Sequence, residues 1–548
     1  MTNLASPMDP KAEAQDHHRY DAGATRPSVA IIGAGISGMV AADVLAEAGA
    51  HVVLIESSNR LGGKIQTDSL DRITIDVGPD SFFTRKPEAV ELCYKLGLSD
   101  QLVAPAQSRA YIWSRGRLRP MPAGLTMGAP SRLTSVALSG ILSPRGTLRA
   151  GLDFVLPRTF QDRKGEHCQA DHAIGELISS RMGREAASNL VDPLAGGVHA
   201  GSSFELSAAM VFPQLLDAVR EHRSLIIGLR SQAARSANSK GLDVKRPLDP
   251  RAASRRVDHP RTTGTSRPMF LGLRGGLATV VDVLGDELKR LGVDIRLQLP
   301  ARSLSATKSG WVIEAGSEQI AADAVIVASP APSAARLLSD VASDAAAILA
   351  DVEHASVGIL TMSYPSSALL HPPAGTGFLV PASAGMLVTA CTWLSTKWPH
   401  LAEPGRFLIR ASVGRSHDTR FLDLDDSELL RAVSGDLAAC MNLRTEPTEA
   451  KVTRWLDAFP QYRVGHLRKI TDVNKALSLH PRIALTGPVI AGAGIPACIA
   501  QARATASRIA TSLGLGEPRH SDASGEAPPE PPAQMEAGTT SATPRELG

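Results

Sequence analysis

The sequence predicts an α/β protein with α+β insertions: one open parallel-sheet domain built from discontinuous chain segments, with a mixed-sheet domain and a small helical domain between them. Three observations carry this. A strand–helix–strand unit opens the apolar part of the chain. Short, wholly apolar strands of the same kind recur near the middle and near the end. The stretches between them are long enough to form cores of their own.

Ser28–Ile32 is a β-branched run, Ser37–Ala48 an Ala-rich helix, and His51–Ile55 a second strand. Continuous apolar runs of this length, joined by a helix, suit strands buried on both faces of a parallel sheet. Ala324–Ala328 repeats the pattern. So does Arg482–Thr486, which leads through a glycine-rich turn into a helix from about Pro496. The parallel-sheet domain is accordingly placed at 28–104, 280–330 and 452–514. Residues 105–216, rich in Ala and Leu between about 131 and 190, are assigned to the helical domain. The mixed-sheet domain takes 217–230, 268–279 and 331–451.

Three segments fit none of these. Residues 1–27 are polar and aperiodic and are expected to be a disordered arm. Residues 515–548, rich in Pro, Glu, Ala, Ser and Thr, are expected to be a disordered tail. Residues 231–267 carry Lys240, Lys245, Arg246, Arg251, Arg255, Arg256 and Arg261 with few bulky apolar residues. They are expected to form a basic, disordered insertion, either a solvated loop or a lid that meets an acidic substrate or partner.

Composition narrows the function classes. Of 548 residues, 43% are apolar and 21% charged, with a net charge of +3, so no nucleic-acid partner is expected. Aromatic residues, at 4%, are too sparse for base-stacking platforms. The five cysteines (Cys93, Cys168, Cys391, Cys440, Cys498) are scattered and form no C-x-x-C, which disfavours a disulfide framework or a zinc site and fits a reducing compartment. No metal is expected. There is no secretory signal pattern and no run of 18 apolar residues, so a cytoplasmic protein without a transmembrane segment is expected.

The strongest motif is Gly33-Ala34-Gly35-Ile36-Ser37-Gly38, between the first strand and its helix. Gly33 permits the tight turn, Gly35 lets backbone approach a pyrophosphate, and Gly38 allows close helix–strand packing. The helix N-terminus offers free N–H groups and partial positive charge to phosphates. Glu56 ends the second strand, where its carboxylate can accept from ribose hydroxyls. This is a Rossmann-like dinucleotide site, and the unit alone does not separate FAD from NAD.

The continuation, Glu56-Ser57-Ser58-Asn59-Arg60-Leu61-Gly62-Gly63-Lys64, resembles the FAD-binding amine oxidase and protoporphyrinogen oxidase superfamily, with Arg60 and Lys64 as cations on the phosphate side. Further segments are similar to the porphyrinogen oxidases: Gly78-Pro79-Asp80-Ser81-Phe82, Leu118–Gly128, Leu190–Gly201, Cys391–His400, Pro460–His466 and the closing Gly492-Ala493-Gly494-Ile495-Pro496. The resemblance is closest to the bacterial coproporphyrinogen III and protoporphyrinogen oxidase type. It implies non-covalent FAD and a six-electron oxidation of coproporphyrinogen III to coproporphyrin III in haem synthesis. Oxygen would be the acceptor and hydrogen peroxide the co-product. It also implies transient contact with neighbouring enzymes of that pathway. Protoporphyrinogen IX is the alternative substrate. A flavin amine oxidase, a desaturase, and a flavin-bearing partner protein with little turnover are the alternative functions.

The resemblance implies that Gly78, Pro79, Asp80 and Ser81 lie beside the flavin, with Ala493, Gly494 and Ile495 at a helix N-terminus facing it. It places Ala301 against adenine and Trp455 near the flavin, though Trp455 reads equally well as a core residue. No catalytic side chain is assigned, because flavin N5 carries the chemistry. His199, His354 and His466 are read as structural. The substrate's propionates need cations, and Arg85, Lys86, Arg109 and Arg410 are the candidates.

Overall fold

A computed structural model describes residues 26–126, 128–157, 171–242, 268–371 and 373–516. The expected arm lies outside these residues except for 26–27, and the expected tail except for 515–516. Leu515 packs against the core of the parallel-sheet domain.

That domain has five strands: β1 (Ser28–Ile32), β2 (His51–Ile55), β3 (Asp294–Arg296), β4 (Ala324–Val327) and β5 (Ile483–Leu485). They run parallel in the order β3-β2-β1-β4-β5. Strand alternation sends Val29, Ile31, Val52, Leu54, Ala324 and Ile326 to one face. Ala30, Ile32, Val53, Ile55, Val325 and Val327 go to the other. Helices α1 (Ile36–Glu47) and α2 (Ile495–Ser512) pack on the first face. A three-stranded sheet over 301–322 and the helices Ala331–Leu338, Ser343–Ala350 and His466–Leu477 cover the second. Both faces are buried, which is why the inner strands β1, β2, β4 and β5 are mostly apolar, while the edge strand β3 carries Asp294 and Arg296.

A seven-stranded sheet forms the mixed domain. Its order is Glu449–Pro460, His354–Pro365, Arg406–Val413, Val388–Trp393, Gly377–Leu379, Ala110–Ser114 and Arg117–Pro120. The helix Asp426–Met441 covers it with Leu429, Val433 and Leu437. Asp425 starts that helix through a capping box with Glu428, which satisfies N–H groups that would otherwise lack partners.

Several expected boundaries shift. Residues 110–120, expected in the helical domain, pair as the edge of the seven-stranded sheet. Residues 449–460, split between two expected domains, are one 12-residue strand of that sheet. Phe270–Leu273, assigned to the mixed-sheet domain, pairs instead with Phe82–Phe83 and Leu102–Val103, because Leu271 and Leu273 complete the core under α1. Residues 331–350, also assigned there, pack on the parallel sheet. Residues 231–242 are the end of the helix Leu225–Leu242 and not a disordered insertion. The remainder of that insertion, 243–267, lies outside the described residues. No helix among the described residues is long and apolar enough to cross a membrane.

Candidate active site

The glycine turn is built by contact, atom by atom. A Cβ at Gly38 would sit 1.8 Å from the Gly33 carbonyl oxygen, so α1 presses directly on the turn it leaves. Gly35 caps α1 in extended conformation, with no side chain bonded to the free N–H groups. A Cβ there would meet nothing within 4 Å. The N-terminus of α1 thus faces open space, the geometry an anion needs. Ile36 and Ser37 are buried behind it.

Glu56 ties this turn to the end of β2. Its carboxylate accepts from the Ala34 N–H and from the Ser58 N–H, each at 2.8 Å. The Ser57 hydroxyl bonds the same carboxylate at 3.3 Å. The next loop leans on the turn: the Gly62 N–H donates to the Ala34 carbonyl at 2.8 Å, and a Cβ at Gly63 would lie 3.1 Å from Gly35 Cα. Arg60, expected on the phosphate side, bonds the carbonyls of Gly63 at 2.6 Å and Leu61 at 3.2 Å through its guanidinium, which holds the loop in shape. Ala301 opens the strand after Leu299, whose N–H donates to the Glu56 carbonyl at 2.9 Å, which puts this segment beside the ribose-side acid.

Three further segments converge next to the turn. Gly78 lies so close to the Lys64 carbonyl that a Cβ would approach it to 2.0 Å. Ile65, Phe82, Ile495 and Ile499 pack together, joining the 62–66 loop, the strand after Ser81 and the first turn of α2. Gly494 caps α2, again with no capping side chain and with open space in front. Ala493 precedes it in the turn. Two glycine-capped helix N-termini open beside one another: α1 and α2 pack on the same face, follow parallel strands of one sheet, and bring Ser37 and Cys498 of their first turns together. Lys64 is half-buried and forms no ion pair among the described residues. Burial pulls its ammonium below the ordinary lysine value, while proximity to Cys498 on α2 acts the other way. A long ligand with a pyrophosphate and an anionic ring fits these features: two uncapped helix ends, an unpaired cation and backbone stripped of side chains.

The turn at 76–81 is held from the mixed-sheet domain. The Trp455 indole N–H donates to the Val77 carbonyl at 2.8 Å. Lys397 Nζ lies 2.7 Å from Asp80, and the Trp398 indole N–H donates to the same oxygen at 3.1 Å. The Ser81 hydroxyl bonds Asp80 at 2.9 Å. Burial alone would raise the Asp80 carboxyl, but the charges of Lys397 and Arg410 outweigh it and hold it well below the ordinary range. Asp76 behaves oppositely. Burial pushes it up to about 6, against bonds from the Thr67 hydroxyl and the Leu277 N–H. Arg410 was expected to meet a propionate. It reaches the Asp76 carbonyl at 3.4 Å and lies within the field of both carboxylates, so its charge is already matched.

The other three candidate cations are exposed. Arg85 stands over the Phe83 ring at 5.7 Å, Lys86 follows it, and Arg109 precedes the strand Ala110–Ser114. None of them forms an ion pair among the described residues. The histidines behave as structural groups. His354 Nδ1 bonds the Val352 carbonyl and His466 Nε2 the Val489 carbonyl, each at 2.8 Å. His199 lies edge-on to Phe212 and Tyr462, and burial lowers it to about 4, so it stays neutral at physiological pH. No cluster of metal-ligating side chains occurs among the described residues. Lys397 and Trp398 were not singled out from the sequence, although both lie in the run Cys391–His400.

The description "flavin containing amine oxidoreductase" matches residues 36–510. The chain belongs to that family. Its cofactor is FAD, and the residues around the two helix ends fit it. A protein of Bacillus subtilis named coproporphyrinogen III oxidase is 34% identical over 88% of this chain and 98% of its own length. One of the same name from Propionibacterium freudenreichii is also 34% identical, over 87% and 90%. A solved structure from Exiguobacterium, described as a candidate protoporphyrinogen oxidase, is 28% identical with a TM-score of 0.74, covering 90% of this chain and all of that one.

Proposed function

We propose that the chain is an oxidoreductase that oxidises coproporphyrinogen III to coproporphyrin III by means of FAD, as a step of haem synthesis. The observation that carries this reading is the end-to-end similarity to proteins named coproporphyrinogen III oxidase. The reaction removes six electrons and six protons from the porphyrinogen. When bound, FAD accepts two electrons at a time, so each substrate needs three rounds. We assign oxygen as the terminal acceptor, with one hydrogen peroxide formed per round.

The chain's own residues supply binding and alignment. The N-termini of α1 and α2 and Lys64 bring positive potential to the pyrophosphate and the ring. Gly35 and Gly63 let backbone approach the dinucleotide closely, Gly33 and Gly38 let the turn and α1 pack tightly behind it, and Glu56 takes a ribose hydroxyl. The turn Gly78–Ser81 lies along the ring, and Trp455 fixes that turn through Val77. Of the candidate cations, Arg85, Lys86 and Arg109 are exposed and form no ion pair among the described residues, which leaves them for propionates. We place the reaction in the cytoplasm. The described cysteines Cys93, Cys391, Cys440 and Cys498 are free thiols, which suits a reducing compartment. Contacts with neighbouring enzymes of the pathway would be transient.

The test is to mix reduced coproporphyrinogen III and protoporphyrinogen IX separately with the FAD-loaded enzyme in air and follow porphyrin fluorescence. Faster growth with coproporphyrinogen is expected. Faster growth with protoporphyrinogen would move the enzyme to the other substrate, and growth with neither would overturn the reading.

A further inference from the structure

We propose that Lys397 is a positioning and charge-balancing residue for the flavin: its ion pair with Asp80 locks the 76–81 turn to the mixed-sheet domain and cancels a negative charge beside the ring. This rests on the placement of FAD between the two helix ends given above.

Four charged side chains gather behind the turn. Asp76 and Asp80 come from the chain that passes the cofactor site. Lys397 comes from the helix Leu394–Lys397, and Arg410 from the strand Arg406–Val413. The Lys397 and Asp80 side chains are only 13% and 17% exposed, so solvent screens them weakly. The pair is supported on both sides: the Trp398 indole bonds Asp80, and Lys397 Nζ lies 4.8 Å from the centre of the Trp398 ring. Two carboxylates face two cations, and with all four ionised the group is neutral.

This neutrality matters for electron transfer. Two-electron reduction leaves more negative charge on the flavin at neutral pH. An unmatched carboxylate behind the turn would oppose that charge, and an unmatched ammonium would favour it. Lys397 thus has two effects that separate under mutation. It fixes the turn by contact and sets the local potential by charge.

The experiment is a spectroscopic redox titration of bound FAD at pH 8, where Asp76 and Asp80 are both ionised. Lys397→Met should lower the midpoint potential, and Asp80→Asn should raise it. Each shift should correspond to about a tenfold change in the oxidised-to-reduced ratio, about 30 mV for a two-electron couple. The double variant should return towards the wild type, and Lys397→Arg should stay near it. A purely structural role would move both single variants the same way or leave both unchanged, and either result overturns the proposal. If Lys397→Met does not fold, Asp80→Asn still decides, because its potential must rise. The titration uses no porphyrinogen. A wild type inactive on porphyrinogens would therefore sink the proposed substrate and leave this inference standing, whereas an active wild type without opposed shifts would sink only the inference.

Discussion

The Trp455 indole N–H donates to the carbonyl oxygen of Val77 across 378 residues of chain. One residue lies on the outermost strand of the seven-stranded sheet and the other on the turn beside the cofactor site. Trp455 also packs against the cluster of Ala200, Ala355 and Val357, so its ring is anchored while its N–H reaches the turn. Trp455→Phe keeps most of the packing and removes the donor. Removing a hydrogen bond of about 1 kcal/mol should lower the melting temperature by a few degrees at most and free the turn, whose reordering on binding weakens FAD affinity by up to about fivefold. Calorimetry of the FAD-free protein measures the first, and flavin fluorescence on titration the second.

Gly35 and Gly38 should separate cofactor binding from folding. In Gly38→Ala the new methyl collides with backbone that cannot move away, and a loss of about 3 kcal/mol or more is expected. Gly35 has an extended conformation that alanine adopts, with open space around it. Gly35→Ala should leave the FAD-free protein as stable or up to about 1 kcal/mol more stable. It should still weaken FAD binding, about tenfold or more, because the methyl enters the path of the pyrophosphate. Urea unfolding of the FAD-free proteins and FAD titration together check the pair.

The contrast between these sites also marks what was legible in the sequence. The β1–α1–β2 unit is written locally: apolar runs, the motif glycines Gly33, Gly35 and Gly38, and Glu56, all within 29 residues of chain. Its helix and strands fall within a residue of where pattern places them. Strand β3 was not legible, because its three residues, Asp294, Ile295 and Arg296, have no apolar run and pair only where β2 offers an edge. The Asp80–Lys397 contact joins residues 317 apart, and no local pattern encodes such a meeting. The neighbours of Arg410 were hidden for the same reason, since Asp76 and Asp80 are distant in sequence.

Asp76 predicts a pH dependence of stability. Its folded-state value, about 6, lies above the ordinary 3.8, so the folded protein holds this proton more tightly than the unfolded chain. Its contribution is full below about pH 4 and is lost as pH rises towards and through 6. Asp76→Asn retains an oxygen that can accept from Thr67 and Leu277 and removes the charge. It should stabilise the FAD-free protein above pH 6, by at most about 3 kcal/mol, with no gain near pH 4. Denaturant midpoints at pH 5 and pH 8 would show it, and an equal effect at both would refute the assignment.

Arg181 and Asp153 should matter to stability alone. Their side chains are 1% and 0% exposed and 2.8 Å apart. Asp153 also accepts from the Ser224 hydroxyl and the Leu225 and Ile226 N–H groups, which caps the helix Leu225–Leu242. Arg181→Met leaves Asp153 buried without its guanidinium, and a loss of about 3–5 kcal/mol is expected. The flavin spectrum of the surviving folded protein should not change, because this pair lies within the helical domain and away from the cofactor site.

Arg85 and Lys86 predict substrate selectivity. They are exposed, adjacent, and follow the turn along which the ring is proposed to lie. Coproporphyrinogen carries four propionates and protoporphyrinogen two. A cation that meets a propionate present only on the larger substrate should act on KM for that substrate alone. Exposure limits the strength of such a contact to about 1 kcal/mol per charge. Arg85→Ala with Lys86→Ala should raise KM for coproporphyrinogen roughly fivefold to thirtyfold, with kcat nearly unchanged and KM for protoporphyrinogen barely moved. Added salt should reproduce part of the effect on the wild type and little on the double variant. Equal changes with both substrates would remove these residues from propionate recognition and turn attention to Arg109, the other exposed cation among the candidates.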